Sequence, residues 1–76
     1  MNKARRKRVD DVIAKIQELQ GEVEDILSEE EEYRDNIPEN MQQSERYENA
    51  GTNCDNLQSA IDSIEEVVSY LEESQY

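Results

Sequence analysis

Four consecutive carboxylates, Glu29, Glu30, Glu31 and Glu32, follow Ser28 and form the densest charge run in the chain. Such a run could hold a cation, dock a basic protein, or supply paired carboxylates for acid–base work. Each use makes a further demand. A calcium loop needs Asp and Asn alternating around a central Gly, ahead of a bidentate Glu, and that order is missing here. Acid–base catalysis near neutral pH most often recruits histidine, and the chain has none. The one cysteine, Cys54, cannot make a structural zinc site, and no glycine loop is present to cradle phosphate. The residue types therefore argue against an enzyme and against a metal or organic cofactor. They leave an anionic surface for a basic partner. The plainer alternative is a solvated helix end, since exposed charges contribute little by themselves.

The opposite charge is concentrated at the start. Five of the eight basic residues fall within Lys3–Arg8. The formal net charge is −12, and from Val9 onward three basic residues (Lys15, Arg34, Arg46) stand against twenty acidic ones, giving −17. That body is expected to repel nucleic acid and anionic membrane and to attract basic surfaces. Lys3–Arg8 could touch nucleic acid or anionic lipid. If the chain folds back, neutralisation by Glu65, Glu66, Glu72 and Glu73 is the expected fate of this cluster. The same cluster resembles the first part of a secretion signal but lacks the apolar stretch that must follow. No apolar run is long enough for a membrane span. A lone thiol fits a reducing compartment, so the cytoplasm is the expected location.

Apolar residues make up 34% of the chain and charged residues 37%, a balance that borders on disorder. The order of the apolar residues argues otherwise. With Val9 at heptad position a, position a holds Val9, Ile16, Val23 and Glu30, and position d holds Val12, Leu19, Ile26 and Tyr33. With Tyr47 at a, position a holds Tyr47, Cys54, Ile61 and Val68, and position d holds Ala50, Leu57, Ile64 and Leu71. Both tracts read as helices packed along one seam. Between them lies the one proline, Pro38, which cannot donate in a helix interior and pushes Ile37 toward extended backbone. Asp35, Asn36 and Asn40 suit turns, and Ser44 is a good N-cap with Glu45 in the first turn behind it.

These signals predict an all-α fold: an antiparallel two-helix coiled-coil hairpin forming one domain over residues 1–76. The helices are expected at about 4–34 and about 44–74, with the bend at about 35–43. Folding about Asn40 sets each a against a d. Val9 then meets Leu71, Val12 Val68, Ile16 Ile64, Leu19 Ile61, Val23 Leu57, Ile26 Cys54, Glu30 Ala50 and Tyr33 Tyr47. The small Ala50 leaves Glu30 room to turn outward toward Arg34 or Arg46. The two tyrosines are expected to pack at the bend end with their hydroxyls near water.

Apolar side chains also lie beyond the seam. Ile13 and Leu27 sit at e on the first helix, and Ala60 and Val67 at g on the second. In an antiparallel pair e flanks e and g flanks g, so these residues widen opposite edges of the hairpin. A two-helix hairpin is a thin core for a chain this small. The edges are therefore expected to be buried against a second copy, making a dimeric four-helix bundle, or against another protein. Gly21 and Gly51 fall inside helical tracts and should weaken them.

Tyr33-Arg34-Asp35-Asn36-Ile37-Pro38-Glu39-Asn40, followed by Ser44-Glu45-Arg46-Tyr47-Glu48, resembles a segment of small bacterial and phage-associated acidic helical-hairpin proteins. Those proteins share the basic start seen here from Met1 to Arg8 and end in acidic heptads. The resemblance spans nearly the whole chain, with the bend its distinctive part. It implies an intracellular protein of a bacterium or its phage and brings no activity and no functional residues. Gly51-Thr52-Asn53-Cys54 departs from the family's usual sequence in being poorer in helix formers.

The reading that emerges is a non-enzymatic interaction module that self-associates and presents carboxylates to a basic partner. Glu29–Glu32, Ile13, Leu27, Ala60 and Val67 are its expected partner-binding residues. The alternative is a phage-encoded mimic of nucleic acid that inhibits a nucleic-acid-binding or defence protein.

Overall fold

In the computed structural model, which describes residues 1–76, the chain forms helix α1 (Lys3–Asp35), one short 3-10 turn (Glu39–Met41) and helix α2 (Glu45–Glu73). The helices pack antiparallel as an extended hairpin with no strand, within a rod of 60 × 15 × 11 Å. Each helix starts at a side-chain cap. The Asn2 amide oxygen accepts from the Arg5 N–H at 2.8 Å, and the Ser44 hydroxyl accepts from the Tyr47 N–H at 3.3 Å. Both caps satisfy an amide that the first turn would leave unpaired.

The bend is built from backbone bonds and one buried side chain. Asn36 ends α1, its N–H reaching the Glu32 carbonyl at 3.0 Å, and the Ile37 N–H reaches Arg34 at 3.1 Å. Pro38 is extended at φ −56° and ψ 147°, which turns the chain off the helix axis. The Met41 carbonyl accepts from the Ser44 hydroxyl at 2.6 Å and from its N–H at 3.1 Å, locking the entry to α2. Ile37 is buried and closes the bend end of the core. No residue in the chain needs a positive φ.

The antiparallel register matches the heptad expectation. Val9 and Leu71 line one shared depression, Ile16 and Ile64 a second, and Glu30 and Ala50 a third. On α2 the expected rows form the seam: Ala50, Cys54, Ile61 and Val68 are buried and Tyr47, Leu57, Ile64 and Leu71 half-buried.

On α1 the seam differs. The covered residues are Val9, Ile13, Ile16, Gln20, Val23, Leu27, Glu30 and Arg34, which are rows a and e, with Gly21 and Glu31 half-buried beside them. Row d is turned out: Val12, Leu19, Ile26 and Tyr33 are between 41% and 56% exposed, while Val68, Ile61 and Cys54 opposite are at 8% or less. Row d, expected at the centre of the seam, therefore lies at its rim, and at the bend end Tyr33 has Arg46 beside it. Row e supplies the cover, and Ile13 and Leu27 are consumed inside the hairpin rather than left at its edge. The cause is geometric. Rows a, d and e together make a stripe wider than one helix can cover, and a small rotation of α1 about its axis decides which row stays out.

Neither helical glycine is needed for space. A Cβ added at Gly21 or Gly51 would meet nothing within 4 Å, so no close neighbour within the chain requires Gly51. Gly21→Ala and Gly51→Ala should each stabilise the hairpin by about 0.5–1 kcal/mol, because only the entropic cost of helical glycine is removed. Thermal denaturation followed by circular dichroism would then show Tm rising by about 4–8 °C per kcal/mol.

Candidate interaction face

Helical geometry puts the surplus apolar residues on one side of the rod. Val12, Leu19, Ile26 and Tyr33 repeat at heptad spacing down α1, and Ala60 and Val67 run beside them on α2, all exposed. Shallow depressions between the helices mark that side. The first is lined by Arg5, Val9, Val12, Lys15 and Leu71, among others. The second is lined by Ile16, Leu19, Ser63, Ile64 and Val67. The third is lined by Glu30, Tyr33, Arg46, Asn49, Ala50 and Asn53. Large apolar residues repeating along one face of a small protein mark a contact surface more often than chance exposure.

Carboxylates avoid this side of α2. Its d row (Ala50, Leu57, Ile64, Leu71), g row (Arg46, Asn53, Ala60, Val67) and c row (Asn49, Asn56, Ser63, Tyr70) contain no acid. The helix nevertheless has eight acidic residues: Glu45, Glu48, Asp55, Asp62, Glu65, Glu66, Glu72 and Glu73. All fall on rows b, e and f, which point to the far side and outer edge. Row b of α1 (Asp10, Gln17, Glu24, Glu31) joins them there. Polar bonds lace this far side: Gln20 donates to Glu24 at 3.1 Å and across the helices to Glu65 at 3.3 Å, and Gln75 donates to Asp10 at 2.7 Å. The rod thus has an acidic face and an apolar-striped face that is free of acids on α2, with Arg5, Arg8, Asp11, Lys15, Glu30 and Arg46 bordering the stripe.

At the bend end, the Arg46 Nε donates to the Tyr33 hydroxyl, and its guanidinium carbon lies 5.4 Å from the ring centroid. The hydrogen bond, with the phenol's charge behind it, raises the Arg46 pKa further above its ordinary value. Arg46 takes the place expected for Tyr47 as the neighbour of Tyr33. Arg34 bonds to the adjacent Asp35 at 3.0 Å, not to Glu30.

The acidic run does not form a patch on one face. At 100° per residue, four consecutive side chains circle the helix. Glu30 and Glu31 are half-buried, while Glu29 and Glu32, three residues apart, are exposed side by side on the outer side of α1. At the open end, no direct ion pair joins Lys3–Arg8 to Glu65, Glu66, Glu72 or Glu73. The ion pair there is Lys7–Asp11 at 3.2 Å, within α1. Of the remaining expected partner-binding residues, Ala60 and Val67 stay exposed on the apolar face, whereas Ile13 and Leu27 lie in the seam. Val12, Leu19, Ile26 and Tyr33 belong to the face but had been assigned to the core. The signal was present in row e, whose apolar Ile13 and Leu27 already made the stripe too wide.

No three Asp, Glu or Cys side chains converge as a metal site requires, and no buried side-chain nitrogen or oxygen lacks a partner. No helix is long and apolar enough to cross a membrane. Compared with protein-family models, curated proteins and solved structures, the chain matches none.

Cys54 sits in the α2 seam, 4% exposed. Burial raises its pKa, and Glu31, Glu30 and Asp55 push the same way, while Arg34 nearby opposes them. Desolvation outweighs the one favourable cation, so the thiol stays protonated at neutral pH and is a poor nucleophile. Alkylation by iodoacetamide at pH 8 should be at least tenfold slower in the folded protein than in urea. Equal rates would show that Cys54 is not held in the seam.

Proposed function

We propose that this chain is a non-enzymatic interaction module. It associates with a second copy through the apolar face and offers the acidic face to a basic partner. The observation that carries this reading is the exposed heptad row Val12, Leu19, Ile26 and Tyr33 beside a carboxylate-free strip of α2. In a protein whose net charge is −12, an acid-free strip supports this reading, because covering a carboxylate without a partner is costly. Leaving those side chains in solvent forgoes about 1.5–3 kcal/mol for each that could be fully buried. Only six residues are buried in the lone hairpin, a core small enough to need support from outside.

Carboxylates on rows b, e and f of α2 and row b of α1 remain accessible once the apolar face is covered. Their chemistry suits a Lys- or Arg-rich surface, with attraction that falls as salt rises. The same separation supports the second reading, a nucleic-acid mimic, in which the basic partner is itself a nucleic-acid-binding protein. The resemblance of the bend to phage-associated hairpins favours a bacterial or phage setting for either.

Leu19→Ser together with Ile26→Ser should convert an associated species to a monomer in sedimentation equilibrium while most helicity is kept, because both side chains lie outside the seam. Ile61→Ser, inside the seam, should instead abolish the helical signal. A wild-type protein that stays monomeric up to millimolar concentration would refute self-association. For the basic partner, Glu24→Gln with Glu65→Gln should weaken capture on a polylysine surface and reduce its salt dependence. Displacement of duplex DNA from a basic target by the wild-type protein would select the mimic over the general docking module.

A further inference from the structure

Beside the apolar stripe, on its outer side, α1 carries a row of charges at position g: Arg8, Lys15, Glu22 and Glu29. Two bases are followed by two acids, over about 31 Å of helix. None of the four is in an ion pair, since the two pairs in the molecule are Lys7–Asp11 and Arg34–Asp35.

This order runs against the helix's own dipole. A helix N-terminus favours acids and a C-terminus favours bases. α1 opens on Lys3, Arg5 and Arg6 with no acid in its first turn, and it carries Glu29 to Glu32 near its end. The first turn carries the disfavoured sign, and at the other end Arg34 is the one favourable charge against Glu29 to Glu32 and Asp35. α2 already runs the opposite way but carries acids at both of its ends (Glu45 and Glu48, Glu72 and Glu73), whereas a second α1 running the opposite way sets its basic start beside this acidic end.

We propose that the second copy docks on the apolar face with its bend at the opposite end, about a two-fold axis passing beside Leu19. α1 then lies antiparallel to the partner's α1. Leu19 meets the partner's Leu19, and Val12 meets the partner's Ile26. Arg8 faces the partner's Glu29, and Lys15 faces the partner's Glu22. By symmetry each contact occurs twice, as an isologous interface requires. This inference rests on the self-association proposed above and specifies its geometry.

The rival orientation, with both bends at one end, sets α1 against the partner's α2. Its charged g row would then face the uncharged c row of α2, and the four charges would gain nothing. In the opposed arrangement α2 meets the partner's α2 through that same c row, where no like charges collide. The size is sufficient: a face of 60 × 15 Å projects on the order of 900 Å², against about 800 Å² per partner in a stable interface.

Cysteine substitutions, one at a time, test the geometry in the full chain, with wild type as the blank because its own Cys54 is buried. Under mild oxidation Leu19→Cys should form a disulfide-linked dimer. Val12→Cys alone should not, whereas Val12→Cys mixed with Ile26→Cys should. Arg8→Glu should weaken the dimer about tenfold by placing two like-charge pairs across the axis, and adding Glu29→Arg should restore it. A dimer by mass in which Leu19→Cys fails to cross-link, or Arg8→Glu has no effect, overturns the orientation and leaves self-association standing. A monomer by mass overturns both.

Discussion

One geometric constraint governs this molecule: α1 carries three apolar rows, and a single antiparallel helix covers two. Whichever row is left over must face water or another protein. The rotation of α1 leaves out row d, and this choice has a consequence beyond the seam. Row d lies on the side where α2 carries Ala60 and Val67. Had row e been left out, Ile13 and Leu27 would have stood on the far side beside Gln58, Glu65 and Glu72, apart from the other surplus residues. The observed rotation gathers the uncovered apolar residues onto one face and the α2 acids onto the other. A flat rod with two unlike faces follows from it.

Charge follows the same division. The −17 body is not uniformly acidic, because the whole α2 strip next to the stripe is free of carboxylates. Desolvating a carboxylate without a partner is costly, so a surface meant to be covered excludes it, while a surface meant to stay wet tolerates many. The acidic character of the protein therefore belongs to one face and the edges. Its basic residues are placed with equal economy: five at the open end, Lys15 in the outer row of α1, Arg34 half-buried at the bend end and Arg46 over Tyr33.

The bend holds this arrangement in register. Its helix stop, its extended proline and its Ser44 cap use hydrogen bonds of 2.6–3.3 Å from the backbone and the Ser44 hydroxyl, and no left-handed residue. Ile37 contributes the one buried side chain of the connection. The connection is short relative to the two helices of 33 and 29 residues that it joins. Arg46 on Tyr33 fastens the same end from the solvent side.

The amino-acid order alone determined the hairpin, its antiparallel sense, the register of Val9, Ile16 and Glu30 against α2, and the cap at Ser44. These depend on heptad period, one proline and local hydrogen-bonding chemistry, all readable along the chain. It did not determine which rows of α1 face inward. Rows a with d and rows a with e both make a heptad seam, and the more apolar choice is the one turned outward. Nor did it show that Ile37 is buried or that Arg46 stands beside Tyr33 where Tyr47 was expected. Those outcomes turn on a rotation of a few tens of degrees about the α1 axis. Periodicity is indifferent to such a rotation, and only the packing of two helices joined by one particular bend selects it.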